Sequence, residues 1–293
     1  MAAGAAVALA LLVPAAAGAQ APQGGILDQI VGDYQGASAG WLERIVPVAQ
    51  RTFAVLAALE FAVSGIWWAL GREALDAALA GLLKKFMVLA FLYALISAFP
   101  LWVPAITAGF EAAGQAAAGS SAVNPSQLLD LGIVISSNML QSYSALGLLT
   151  NPAGTLLATA SALLVFLAYV AIAARICLVL VETYLVLTGG CLFLGFAGCR
   201  ITAPFAEGYL LYAVQVGVKI YLIYLLAAVG AGLSRQWALL QFGPQGQAAP
   251  SLALGLQVLG GALIFCLLVW RIPSAVASRL TQGASLRLGE ALR

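Results

Sequence analysis

A glycine-rich stretch between two apolar runs constrains the fold of this chain more than any other segment. It covers residues 188–200 and reads Thr-Gly-Gly-Cys-Leu-Phe-Leu-Gly-Phe-Ala-Gly-Cys-Arg. The run before it, 155–188, contains neither Gly nor Pro, and the run after it covers 205–233. Glycine inside a helix costs about 1 kcal/mol relative to alanine, so the stretch predicts a break between two helices. The residues concerned are Gly189, Gly190, Gly195, Gly198 and Arg200.

The apolar side chains of this stretch indicate that the break lies in or beside a membrane. Leu192, Phe193, Leu194 and Phe196 make it too hydrophobic for an ordinary solvated loop. Irregular backbone beside hydrocarbon is tolerated only where protein buries it or where it lines a cavity. We therefore expect a short re-entrant or membrane-edge turn.

The composition of the whole chain defines its class. Of 293 residues, 63% are hydrophobic and 8% are charged, and the mean hydropathy is +1.01. About a quarter of the residues in a soluble domain are charged, so the chain is predicted to be all-α and polytopic, with about five transmembrane helices. It has no His and four Cys, so no catalytic, cofactor-binding or metal-binding residue is assigned and an enzyme is not expected. The net charge of +2 carries no nucleic-acid-binding signal.

The first 45 residues predict export followed by a segment outside the cytoplasm. Residues 1–19 are expected to form a signal peptide, because an apolar core at 5–13 precedes the small residues Ala17-Gly18-Ala19. An uncleaved N-terminal helix is the alternative. Residues 20–45 are expected to form an extracytoplasmic leader with an amphipathic helix. The apolar side of that helix would contain Ile26, Ile30, Tyr34 and Trp41.

Residues 46–107 are predicted to contain the first two transmembrane helices. A span needs about twenty apolar residues, which favours spans at 52–70 and at 86–104. The segment 71–85 between them contains Lys84 and Lys85 and is expected to form a short amphipathic connection.

The next segment, 108–154, is predicted to be an extracytoplasmic loop. No Lys or Arg occurs between residues 86 and 174, and cytoplasmic loops usually carry the excess of these residues. Within the loop, Pro125 is expected to start a helix, because proline favours the first helical turn.

Residues 155–271 are predicted to contain transmembrane helices 3–5. A single helix at 160–187 is expected instead of two spans, because no Gly, Pro or Asn at 174–176 could turn the chain. The fourth and fifth spans are predicted at 206–232 and 252–270.

The distribution of basic residues predicts the orientation. A basic cytoplasmic tail, 272–293, would follow five spans, with the N-terminus outside. The residues expected on the cytoplasmic side are Arg72, Lys84, Lys85, Arg200, Arg271, Arg279, Arg287 and Arg293.

Four ionisable residues fall inside the predicted spans: Glu60, Arg175, Glu182 and Lys219. Such residues usually face a bundle interior or a water-filled cavity. Two interpretations remain open. In the first they form buried pairs, such as Glu182 with Arg175 or with Lys219, that fix helix register. In the second they form the polar lining of a conduit.

The glycine-rich stretch also resembles the signature of a known family. Residues 190–202, with the core Phe193-Leu194-Gly195-Phe196-Ala197-Gly198-Cys199-Arg200, resemble TrbL-type conjugal transfer proteins, polytopic inner-membrane subunits of bacterial type IV secretion systems. The typical family form has Gly where this chain has Ala197 and Ser where it has Cys199. Residues 26–41 resemble the leader of the family, and residues 124–133 resemble its central loop.

The resemblance implies a core component in the bacterial inner (cytoplasmic) membrane that contributes to the translocation conduit and to pilus assembly. It implies a homo-oligomer in contact with other type IV secretion inner-membrane subunits, pilin, secretion ATPases and the lipid bilayer. Transient contact with DNA-protein or protein cargo is also implied. No chemistry, cofactor or small-molecule substrate is expected. The alternatives are a secondary transporter or channel for a small solute and a non-transporting membrane scaffold.

Overall fold

The computed structural model describes residues 25–71, 75–119, 124–141, 152–240 and 252–281, and every regular element within these ranges is helical. The helices described are α1 (Ile26–Gly71), α2 (Leu75–Ser97), α3 (Phe99–Ala118), α4 (Pro125–Gln141), α5 (Pro152–Gly195), α6 (Ala203–Ala238) and α7 (Leu252–Thr281). A short 3-10 helix, Phe196–Gly198, follows α5. The predicted signal peptide, 1–19, lies outside the described residues, as does the end of the predicted tail.

Five helices in the described ranges are long and apolar enough to cross a membrane. The apolar segments are Ile26–Leu70, Leu79–Ser97, Pro152–Gly198, Ala203–Ala238 and Leu252–Leu280. About twenty helical residues cross a hydrocarbon core of about 30 Å, and the shortest segment has 19 residues. The chain is therefore a polytopic α-helical membrane protein, as its composition predicts.

The first helix is much longer than the span predicted at 52–70. It contains 46 residues, which corresponds to about 69 Å at 1.5 Å per residue. The predicted leader helix and first span are thus one continuous element. Its N-terminal half packs on α5, where the Thr188 hydroxyl reaches the Ser38 carbonyl oxygen, whereas its C-terminal half also packs on α2, where Phe53 contacts Tyr93. The two halves of α1 therefore contact different parts of the molecule.

The second helix begins and bends earlier than predicted. α2 starts at Leu75, so the expected connection at 71–85 is mostly helical. The predicted span 86–104 is interrupted at Ala98, between α2 and α3. Pro100 lies in the first turn of α3, and proline lacks a backbone N–H and clashes with the carbonyl four residues earlier. The proline therefore explains why the helix is interrupted at this point.

The segment predicted as an extracytoplasmic loop, 108–154, is largely helical. α3 continues to Ala118, and α4 starts at Pro125, as predicted. α3 packs closely on α6, because a Cβ added at Gly114 would lie 2.7 Å from the Cβ of Tyr224, and α4 packs on α5, where a Cβ at Gly132 would overlap the Tyr169 side chain. These two helices are thus part of the helix bundle.

The central element of the bundle is α5. It runs without a turn at 174–176, as the absence of turn residues predicts. Tyr169, Ile172 and Ile176 on α5 are at most 1% exposed. The Tyr169 hydroxyl bonds to Ser234 of α6, and Phe193 stacks on Tyr209. Since these contacts progress in opposite directions along the two helices, α5 and α6 are antiparallel.

Candidate functional site

The turn between α5 and α6 is shorter and lies later in the chain than the predicted break at 188–200. α5 stays helical through Gly195, and α6 begins at Ala203. Thr202 stabilises the turn, since its Oγ1 donates a hydrogen bond to the Phe196 carbonyl oxygen at 2.6 Å. Tertiary packing therefore outweighs the low helix propensity of the first three glycines.

Two glycines allow the backbone of α1 to approach the end of α5. A Cβ at Gly195 would lie 2.8 Å from the Ala49 carbonyl oxygen, and one at Gly198 would lie 2.5 Å from the Phe53 carbonyl oxygen. Small residues permit such close helix contact in membranes. Because both contacts advance in the same direction along the two helices, α1 and α5 are parallel.

The other two glycines have different surroundings. A Cβ at Gly190 would overlap the Tyr209 ring, whereas a Cβ at Gly189 would meet nothing within 4 Å. Gly190 thus makes room for an aromatic side chain, and nothing in the structure explains Gly189.

Glu60 is the centre of a polar cluster that connects α1, α2 and the turn. Its Oε1 accepts a hydrogen bond from Lys85 Nζ at 2.8 Å. Its Oε2 accepts from the Arg200 backbone N–H at 3.1 Å and from the Cys199 thiol at 3.3 Å. Lys85 also donates to Ser64 Oγ. We call Glu60, Ser64, Lys85, Cys199 and Arg200 the hairpin junction.

The ion pair of the hairpin junction is almost completely buried. The side chains of Glu60 and Lys85 are each 9% exposed. A buried carboxylate is tolerated when an opposite charge and further hydrogen bonds satisfy it, and here three donors reach its two oxygens. The junction thereby fastens three segments that are far apart in the sequence. A cavity of about 530 Å³ lies beside it.

A second ion pair connects α5 to α6. Lys219 Nζ lies 2.7 Å from Glu182 Oε1, and the Tyr212 hydroxyl donates to the same oxygen at 2.7 Å. The side chain of Lys219 is 13% exposed and that of Glu182 is 25% exposed. We call Glu182 and Lys219 the central pair. Of the two partners considered for Glu182 in the sequence, the structure brings Lys219 to it.

Arg175 is directed to α7 instead of Glu182. Its Nη2 donates to Ser274 Oγ at 2.7 Å, and its guanidinium lies 5.6 Å from the centre of the Trp270 ring. Arg175 Nε is buried and finds no hydrogen-bond partner among the described residues. Arg175 thus links α5 to α7 and keeps one unused donor.

Lys85 is a site residue that the sequence analysis missed. The sequence predicts a short amphipathic connection at 71–85 with Lys85 on the cytoplasmic side and without a partner assigned to it, yet Lys85 is 7% exposed. A signal was present, because Lys85 is on the helical face of Leu89, Leu92 and Ile96, all of which are buried. A lysine on an apolar helix face indicates a partner on a neighbouring helix, which here is Glu60.

Glu111 is a second residue that the sequence did not assign to a site. It lines a cavity of about 500 Å³ between α1, α3 and α5, together with Tyr184 and Thr188. Burial raises the pKa of the Glu111 carboxyl, because desolvation disfavours the charged form. Within the described ranges, no three His, Cys, Asp or Glu side chains are grouped to hold a metal ion.

The sequence that contains these sites is similar to known proteins. Residues 57–272 match the family model described as TrbL/VirB6 plasmid conjugal transfer protein. A probable conjugal transfer protein TrbL of Sinorhizobium fredii is 27% identical over 269 residues, which are 92% of this chain and 66% of that protein. A conjugal transfer protein TrbL of Rhizobium radiobacter is 26% identical over 288 residues, 98% of this chain and 71% of that protein.

The chain thus spans about two thirds of the length of these relatives. The matched range contains the hairpin junction, Arg175, the central pair and the whole turn. The family match confirms the resemblance seen at residues 190–202. Because it covers most of the sequence, the chain belongs to the TrbL/VirB6 family of plasmid conjugal transfer proteins.

Proposed function

We propose that this chain is an inner-membrane core component of a conjugation or type IV secretion apparatus. In this role it contributes to the translocation conduit and to pilus assembly. The observation that carries the proposal is the family match over residues 57–272. The printed names of both relatives describe conjugal transfer, and the five apolar helices provide a membrane-embedded body.

In this proposal the ion pairs hold the membrane helices in register. Glu60 and Lys85 close the α1–α2 hairpin onto the turn at Arg200. Glu182 and Lys219 connect α5 to α6. These contacts favour helix pairing over conduit lining at both positions. Arg175, with its unused buried Nε, is the ionisable residue for which a polar lining role stays open.

The proposed orientation places the N-terminus in the periplasm and the C-terminus in the cytoplasm. Lys85 and Arg200 both contact Glu60, so these two basic residues lie on the same side of the membrane. That supports the cytoplasmic assignment that the positive-inside rule gives them. The signal peptide, 1–19, the extracytoplasmic position of 108–154 and the cytoplasmic tail, 272–293, are further parts of the proposal.

The proposed assembly is a homo-oligomer that contacts the other inner-membrane subunits, pilin and secretion ATPases. Contact with translocated cargo is transient. The ionisable residues of the hairpin junction and the central pair contact one another within one chain. The conduit would therefore form between subunits or around Arg175, since these charges are already neutralised inside the subunit.

Charge reversal at the central pair tests this role in cells that carry the native transfer system. Glu182→Lys and Lys219→Glu alone place like charges together, so each should reduce the amount of assembled protein and plasmid transfer. The double reversal should restore both. The measurements are membrane content, co-purification with secretion ATPases, and transfer frequency. Arg235→Glu, an exposed charge on the same helix, is the matched control and should behave like the wild type.

Two results would contradict the proposal at different levels. Single reversals that assemble normally but lose transfer would indicate that the central pair lines the conduit. Deletion of the gene without any change in plasmid transfer or pilus formation would remove the proposed function itself.

A further inference from the structure

We propose that the cavity beside the hairpin junction binds the headgroup phosphate of an anionic phospholipid. This inference goes beyond the proposed role in transfer and does not depend on it. The cavity has a volume of about 530 Å³, within the range of about 300–1,000 Å³ that is usual for small-molecule sites. Its wall combines buried charges with exposed apolar side chains, and the two parts fit the two ends of a lipid.

The polar wall has an excess of positive charge. Glu60, Lys85 and Arg200 line the cavity, so two cations face one carboxylate. Glu60 is already satisfied, since it accepts hydrogen bonds from Lys85, the Cys199 thiol and the Arg200 backbone. The charge of Glu60 is balanced by Lys85, which leaves the Arg200 side chain as the net positive charge at the cavity.

Donors remain for an anionic ligand. A lysine ammonium has three N–H donors, and Lys85 uses two of them on Glu60 and Ser64 among the described residues. The Arg200 side chain is exposed, while its backbone N–H is bound to Glu60. A phosphate between these groups would accept charge-assisted hydrogen bonds from both, which are about twice as strong as neutral ones.

The apolar rim identifies a lipid as the occupant. Leu59 is 53% exposed, Trp67 is 71% exposed and Ile201 is 80% exposed, and all three line the cavity. In the bilayer these side chains contact acyl chains, so a phosphate held at Lys85 and Arg200 would lie where the headgroup of a lipid with its tails on this rim would lie. Tryptophan is also enriched at the headgroup level of membranes, and basic pockets between membrane helices bind anionic headgroups.

Native mass spectrometry of the purified full chain in detergent tests the inference. The protein is titrated with dioleoylphosphatidylglycerol, with dioleoylphosphatidylcholine and with inorganic phosphate. We expect the wild type to bind phosphatidylglycerol about tenfold more tightly than phosphatidylcholine. Arg200→Gln should reduce phosphatidylglycerol binding by about tenfold, because it removes a charged hydrogen-bond donor.

The matched control is Arg235→Gln, which removes an exposed arginine from the other end of α6 and should leave lipid binding unchanged. Arg200→Gln preserves the backbone N–H that binds Glu60, and an unchanged melting temperature would show that the fold is intact. Equal binding of the two lipids, or equal binding by Arg200→Gln and the wild type, would overturn the proposal. Displacement of the lipid by micromolar inorganic phosphate would assign the site to soluble phosphate and would also overturn it.

Discussion

The hairpin junction and the central pair contain the same two ionised groups in different surroundings. At the junction, Glu60 and Lys85 are each 9% exposed, and Glu60 accepts two further hydrogen bonds from the turn. At the central pair, Glu182 is 25% exposed and Lys219 is 13% exposed. The second donor to Glu182, besides Lys219, is the hydroxyl of Tyr212 on α6. The first pair thus connects three segments, whereas the second connects two adjacent helices.

This difference determines how much each pair stabilises the fold. Removing one partner of a buried pair leaves the other charge unsatisfied in an apolar environment and destabilises a protein by about 3–5 kcal/mol. At the central pair both donors, Lys219 and Tyr212, bind the single oxygen Oε1 of Glu182, so fewer hydrogen bonds depend on that carboxylate. The junction also lies beside Gly195 and Gly198, where the backbone of α1 contacts the end of α5 and the turn. A shift of the Glu60 side chain would therefore disturb the contacts among α1, α2 and the turn.

The largest effect is therefore expected for Glu60→Gln. This change leaves the Lys85 ammonium buried without a carboxylate, and we expect a loss of about 3 kcal/mol in the free energy of unfolding. The measurement is chemical or thermal unfolding of the purified protein in detergent.

Glu182→Gln is the matched substitution at the central pair, with an expected loss of about 1 kcal/mol, because the glutamine amide keeps the one oxygen that accepts hydrogen bonds from both Lys219 and Tyr212. Equal losses for Glu60→Gln and Glu182→Gln would contradict the distinction between the two sites. A larger loss for Glu182→Gln would reverse it.

The two sites also differ in how well the sequence predicts them. Glu182 and Lys219 are isolated charges in the middle of two adjacent apolar runs, so their proximity follows once the helices are identified. Glu60 and Lys85 are on the two arms of a hairpin whose connection was placed at 71–85. Because α2 already starts at Leu75, Lys85 lies on the helix face that contacts α1 and not in a connection between the helices.

The glycine-rich stretch illustrates a second limit of sequence reasoning. Local propensity treats Gly189 and Gly190 as helix breakers, yet both lie inside α5. The chain direction changes only after Gly195, where a different helix contacts the backbone. Sequence alone identifies the segment as special and α5 as one helix without a hairpin. It does not reveal why three of the glycines are needed. Gly195 and Gly198 make room for the backbone of α1, and Gly190 makes room for Tyr209 of α6. These neighbours are brought close only by tertiary packing.

Gly198→Ala tests whether the close backbone contact beside the hairpin junction stabilises the protein as much as the ion pair of the junction does. A Cβ in Gly198→Ala would lie 2.5 Å from the Phe53 carbonyl oxygen and 3.0 Å from the Ala57 nitrogen. Because helix backbone must move, we expect a loss of about 1–3 kcal/mol in unfolding free energy.

Gly189→Ala supplies the control for this prediction, since its added Cβ meets nothing within 4 Å. In a helix, alanine should increase stability there by about 0.5–1 kcal/mol. Unfolding in detergent measures both variants. If Gly198→Ala is as stable as the wild type, α1 is not held against the turn by backbone contact, and the junction depends on its ion pair alone.

The smallest effect is expected at Cys199, whose thiol donates to Glu60 at 3.3 Å. Cys199→Ala removes this donor, but Lys85 and the Arg200 backbone still satisfy the carboxylate, so we expect a loss of about 0.5–1 kcal/mol. Cys199→Ser retains a donor, and a hydroxyl is a stronger donor than a thiol. The serine variant should therefore match or exceed the wild type in melting temperature.

The signature that residues 190–202 resemble is expected to have serine at this position, which gives the two Cys199 variants a further meaning. If the hydrogen bond to Glu60 is the contribution of residue 199 to stability, the serine variant should be as stable as the wild type and the alanine variant less stable. If serine and alanine destabilise the protein equally, the volume of the sulfur atom is what matters at this 4% exposed site. The carboxylate of Glu60 would then be held by Lys85 and the turn backbone alone, and the difference between the hairpin junction and the central pair would depend on burial, not on the number of donors.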